Sequence, residues 1–150
     1  MNTDFKVAEV ELSYKNTVPY KERKQVQDAY MASLLIRKTY SEGQIGYREY
    51  FKVLFLNQAN QVLGCSTISE GGISATSVDV RLILQGALLT NASGIILAHN
   101  HPSGNLKPST EDCKVTSQIQ KAAKLLDMKV LDHIILSDED YYSFCSEGLL

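Results

Sequence analysis

Apolar and polar positions alternate between residues 8 and 14, where Ala8, Val10, Leu12 and Tyr14 are separated by Glu9, Glu11 and Ser13. A period of two is the pattern of a strand with one buried face, so the chain is expected to open with an edge strand. From Lys21 to Arg37 the period lengthens. Val26, Ala29, Tyr30 and Leu34 recur at helical spacing, with charge gathered in the first turn, which predicts an amphipathic helix. Ser41 to Gly46 is mostly polar with two glycines and reads as a loop. Tyr50 to Leu56 is then apolar almost throughout, as in a buried strand. Asn57 to Asn60 supplies turn residues, and Gln61 to Ser69 is the returning arm of a hairpin that ends before Gly71-Gly72.

Further along, Val80, Ile83, Leu84, Ala87 and Leu88 give a second helical stripe, with Thr76 or Ser77 as its candidate cap. Gly94 to His99 has the short apolar run of a central strand and leads into a loop containing Pro102, Gly104 and Pro108. In the third helix, Asp112, Val115, Ile119, Ala122 and Leu126 fall on one face, and Val130 to Leu136 predicts the last central strand. Strands alternating with helices predict an α/β fold, a mixed sheet flanked by helices. With no repeat or low-complexity linker, the 150 residues are expected to form one domain: an N-terminal strand and helix over 1–46 and a core over 47–150.

Composition narrows the function. At 44% hydrophobic and 21% charged residues the chain can bury a core, and its net charge of -2 creates no field for a polyanion. Strong nucleic-acid binding is therefore not expected. The apolar runs fall short of the roughly 20 residues of a membrane helix, and the N-terminus lacks a basic region followed by an apolar segment. Cys65, Cys113 and Cys145 contain no Cys-x-x-Cys pair, which disfavours a disulfide framework and a cysteine zinc knuckle; a cytoplasmic location is expected.

The chemistry gathers around the histidines. His99 and His101 lie two apart at the end of an extended run, so their imidazoles share a side and can meet one ion. Asp112 follows eleven positions after His101, across a loop able to fold back, and is a candidate third ligand. Two imidazoles and one carboxylate leave a tetrahedral position for water, the donor set of a catalytic zinc. Taken alone, Ser109 and Asp112 read as a helix cap and a charge favouring the helix dipole. His133, in an apolar strand, reads as a hydrogen-bonded structural histidine, and Cys113, turned away from Asp112, as packing or surface.

His99-Asn100-His101, seven residues, Ser109, two residues and Asp112 match the His-x-His-x7-Ser-x2-Asp pattern of the JAMM (MPN+) metalloproteins. The string from Ile95 to Gly104, with Asp132-His133 and Tyr142-Ser143-Phe144, resembles the RadC branch of that superfamily, and the similarity runs from about Tyr47 to the C-terminus. The resemblance implies a layered α/β fold akin to that of cytidine deaminases, with His99, His101 and Asp112 as zinc ligands and Ser109 as the hydrogen-bond donor to a developing oxyanion. It also implies an upstream glutamate as proton acceptor. Glu49, just before a strand, is favoured for this role over Glu70. The implied activity is zinc-dependent hydrolysis of an amide or isopeptide bond in a protein or peptide substrate.

The alternative is a non-catalytic, metal-stabilised interaction module associated with DNA repair or metabolism. Longer RadC relatives carry an N-terminal helix-hairpin-helix region, for which residues 1–46 leave no room, so a DNA role inferred from that region is not expected here. A zinc nucleoside deaminase is disfavoured, because it requires Glu where His101 stands and a Cys-x-x-Cys pair that the chain lacks.

Overall fold

The computed structural model describes residues 6–72 and 77–150. Strand β1 (Tyr50–Leu56) pairs antiparallel with β2 (Val62–Glu70) across a turn held by Asn57, whose side-chain oxygen accepts from the backbone N–H groups of Ala59 and Gln61. On its other side β1 pairs antiparallel with β3 (Gly94–Asn100), which runs parallel to β4 (Lys129–Leu136); β5 (Tyr141–Ser143) closes the sheet antiparallel to β4. The order is β2-β1-β3-β4-β5, a mixed five-stranded sheet.

Helices cover both faces. α2 (Val80–Leu89) and α3 (Thr110–Leu125) pack Ile83, Ala87, Ile119 and Ala123 against Phe51, Val53, Phe55, Ile95 and Leu97. α1 (Ala29–Arg37) packs Ala32 and Ile36 against Leu54, Leu56, Ile96, Ala98, Ile134 and Leu136 on the other face. The odd and even positions of β1 and β3 thus feed different cores, and β3 is buried throughout. This explains why both strands are apolar rather than alternating. The architecture is the α/β sheet flanked by helices that the pattern predicts.

Four local expectations are corrected. The alternating stretch Ala8 to Tyr14 forms no strand: Val10 and Leu12 are 80% and 78% exposed. Tyr14 reaches the sheet, its hydroxyl donating to the Leu63 carbonyl of β2. The helix predicted from Lys21 starts at Ala29, because Asp28 caps it by accepting from the Met31 N–H, while Lys24 to Val26 run alongside the hairpin. Here backbone pairing with Asn60 and Val62 outweighs helical periodicity. The cap of α2 is Asp79 rather than Ser77, and Thr76 lies outside the described residues. In α3 the buried face runs through Thr116, Ile119 and Ala123, and Leu126, expected on the buried stripe, is 40% exposed beyond the helix end.

Close packing between α2 and β1 generates a stability prediction. A Cβ on Gly86 would lie 2.5 Å from Cζ of the buried Phe55 ring. Gly86→Ala should therefore destabilise the fold by roughly 1–3 kcal/mol, although alanine is the better helix former. Thermal melts check this, and the loss should shrink in the background of Phe55→Leu, which withdraws the ring.

Candidate metal centre

His99 lies on the α3-facing side of β3, two residues beyond Leu97 and four beyond Ile95, which share its face. Its ring stacks on Phe51, its partner across the β1–β3 ladder, and is 1% exposed. His101 follows the strand end and turns back to the same point, bringing its Nε2 to 2.9 Å from Nε2 of His99. Asp112 arrives from the first turn of α3. Its Oδ1 is 3.3 Å from Nε2 of His99 and its Oδ2 is 3.6 Å from Nε2 of His101.

The Asp112 carboxylate is oriented by a capping box. Ser109 Oγ accepts from the Asp112 N–H at 3.0 Å, and the Ser109 N–H donates to Asp112 Oδ2 at 2.8 Å. Capping and the approach to the imidazoles are therefore one arrangement rather than competing readings of this serine and aspartate.

Glu49 stands just before β1 and extends the hairpin ladder, exchanging backbone hydrogen bonds with Gly71 and Gly72. Its buried Oε1 lies 3.9 Å from Nε2 of His99. Glu70 points elsewhere: its carboxylate is about half exposed and pairs with Arg48 at 3.3 Å. Glu49, His99 and His101 together form a cluster able to hold a metal ion, with ligand atoms within 4.8 Å of one another. Asp112 borders the same point. Beside it opens a cleft of about 400 Å³ whose lining includes Phe51, Val78 and Val115 together with Glu49, Asp112 and Gln118.

Sequence reasoning passed over Asn100, the residue between the two histidines. The strand alternation turns it to the face opposite His99, where it is fully buried. Its Oδ1 accepts from the Tyr50 N–H at 2.8 Å, and its Nδ2 donates to the carbonyls of Arg48 and Ile45, each at 2.8 Å. These contacts clamp the backbone immediately before and after Glu49. The available signal was an amide on the buried strand just past its apolar run, since a buried amide needs partners.

The electrostatics call for a positive charge. Burial pushes the Glu49 carboxyl up from its ordinary range against the pull of His99 and His101. Burial would also raise Asp112, but contacts from His101 and His99 and the Ser109 N–H override it and hold that carboxyl well below the usual carboxylate range. The Asp112 carboxylate raises the proton affinity of His101 against the opposing effect of burial. His101 Nδ1 contacts the Asn105 carbonyl, which can only accept, so Nδ1 carries the hydrogen and a neutral ring presents a bare Nε2. A bare nitrogen packed against a second imidazole and two carboxylates is a donor set suited to a cation, and a proton on His101 competes for the same place. The residues present fit a metal ion that takes nitrogen and oxygen donors.

Among the described residues no helix is long and apolar enough to cross a membrane. The chain is 47% identical over 107 residues to a UPF0758 protein of Flavobacterium johnsoniae, an alignment covering 71% of this chain and 46% of that protein. Two Escherichia coli proteins, UPF0758 protein YfjY and UPF0758 protein YeeS, are 45% and 42% identical over 103 residues, covering 69% of this chain and 64% and 70% of theirs. The chain thus spans about half the length of several curated relatives it matches. The profile of the RadC-like JAB domain matches residues 21–149, and the chain belongs to that family.

Proposed function

We propose that this domain is a zinc-dependent hydrolase of amide or isopeptide bonds acting on a protein or peptide. The observation that carries the reading is the convergence of His99, His101 and Asp112 on one point, with the buried Glu49 carboxylate beside it and a cleft open to solvent. His99, His101 and Asp112 would hold the ion, because Asp112 contacts both imidazoles whereas Glu49 lies farther from His99. Zinc, when bound, supplies Lewis acidity that polarises a carbonyl oxygen and lowers the pKa of water.

The chain's own groups supply the rest. Glu49 Oε1 takes up the proton lost by the attacking water and returns it to the leaving amine, a role suited to a carboxylate whose proton affinity burial has raised. Asn100 holds that carboxylate in place through the backbone on either side. Ser109 uses its hydroxyl oxygen as an acceptor in the capping box, which leaves its O–H to donate to the carbonyl oxygen as charge develops there. The apolar residues Phe51, Val78 and Val115 in the cleft lining offer contacts for substrate side chains.

Gently purified protein should carry about one zinc per chain, and His101→Ala should abolish that occupancy. Metal analysis decides both. An unchanged zinc content in His101→Ala would place the ion elsewhere.

Glu49→Gln separates proton transfer from metal binding. Zinc should stay bound while cleavage of the substrate found in a peptide and isopeptide screen falls roughly 10²-fold or more, and Glu70→Gln should have a much smaller effect. Loss of zinc in Glu49→Gln would instead make Glu49 a ligand. Ser109→Ala should lose activity together with about 1 kcal/mol of capping, so its turnover is compared at matched folded fraction. Duplex DNA binding should be weak, in keeping with a net charge of -2. A salt titration showing tight binding at physiological salt would favour the interaction-module reading.

A further inference from the structure

We propose that His133 and Thr116 form a positioning relay that fixes the tautomer of His99 and so presents its Nε2 as a bare ligand nitrogen. The proposal rests on the metal-site reading above. His133 Nε2 lies 2.7 Å from His99 Nδ1, and His133 Nδ1 lies 2.6 Å from Thr116 Oγ1. The Thr116 hydroxyl hydrogen is already committed, because it donates at 2.7 Å to the Asp112 carbonyl one turn earlier in α3.

The direction of every bond follows from that commitment. Thr116 Oγ1 can only accept from His133, so His133 carries its hydrogen on Nδ1. A neutral ring then has a bare Nε2, which accepts from Nδ1–H of His99. With its hydrogen on Nδ1, a neutral His99 turns a bare Nε2 toward His101 and Asp112, and the hydrogen of the 2.9 Å contact between the two Nε2 atoms then sits on His101, beside the Asp112 carboxylate. A metal-binding imidazole whose other nitrogen is held by a hydrogen-bond partner has its ring orientation and ligand atom fixed in advance.

The surroundings hold His133 in this role. It is fully buried, stacked on Phe144 with ring centroids 4.5 Å apart and set edge-on to Phe51. Phe144 is anchored by its own N–H, which donates to the His133 carbonyl at 3.0 Å. Asp132 ties the same corner, accepting from the His133 N–H, the Ser143 hydroxyl and the Cys145 N–H. β4 itself is phased for the purpose. Its pairing with β3 steps from Ile95–Val130 to Ile96–Asp132, passing over Leu131, and this slip brings His133 onto the face that carries His99.

Two measurements test the relay. In metal-free, ¹⁵N-labelled wild-type protein, long-range ¹H–¹⁵N spectra should show His99 protonated at Nδ1 and bare at Nε2; the Nε2–H tautomer in His99 would overturn the proposal. Zinc affinity, read by competition with a chromophoric chelator, should fall about 10–100-fold in His133→Phe and in Thr116→Val. His133→Gln offers an acceptor to His99 and a donor to Thr116, so it should return affinity toward the wild-type value. Thr116→Val preserves shape and keeps the test available if His133→Phe does not fold. Wild-type affinity in a folded Thr116→Val variant overturns the relay. His101→Ala serves as the ligand control: a wild-type chain that takes up no zinc defeats the metal-site reading, while the His99 spectrum still decides the relay.

Discussion

The alternation of side chains along β3 is the constraint on which the centre depends. One face of the strand carries Ile95, Leu97 and His99 toward α2 and α3, while the other carries Ile96, Ala98 and Asn100 toward α1 and the loop before β1. Two adjacent residues at the strand end therefore serve opposite sides of the sheet. His99 faces the candidate metal centre, and Asn100 clamps the backbone around Glu49. A one-residue slip would exchange these faces and bury the imidazole among α1 contacts. The apolar residues that fix the register are thus as necessary to the site as the histidines.

α3 adds a second economy of structure. Its first turn must satisfy exposed N–H groups whether or not chemistry happens there. The capping box does so through Ser109 and Asp112, and in doing so it locks the carboxylate toward both imidazoles. The spacing of three between these residues has a local physical origin in helix capping. One turn on, Thr116 binds back to the Asp112 carbonyl and faces His133, so the same helix end contacts Asp112 directly and reaches His99 through His133.

Where periodicity was decided by burial, the sequence was a good guide. β1, β3 and β4 are apolar because both of their faces are covered, and α2 shows its stripe because Ile83 and Ala87 meet the sheet. The His99, His101 and Asp112 grouping was legible because two of its members sit at fixed offsets on a strand end and the third on a helix start. Patterns misled where no partner surface existed: Val10 and Leu12 alternate like a strand but lie off the sheet, exposed. They also misled where backbone pairing took over, as between Lys24 and Val26. The proximity of His133 to His99 could not be read at all, because it depends on parallel pairing and on the slip at Leu131, neither of which leaves a local trace.

The arrangement also bears on what an ion does for the fold. His99 and Glu49 are held by the sheet, Asp112 by its own helix cap, and His101 by the Asn105 carbonyl on the following loop. An apolar core lies on each face of the sheet, and the His99 ring joins one of them by stacking on Phe51. A small zinc domain that folds only around its metal draws its stability from the ligands. Here the candidate ligands are also positioned by hydrogen bonds and packing within the chain. Under the proposed function, an ion held by this centre would face the adjoining cleft, where a substrate would meet it.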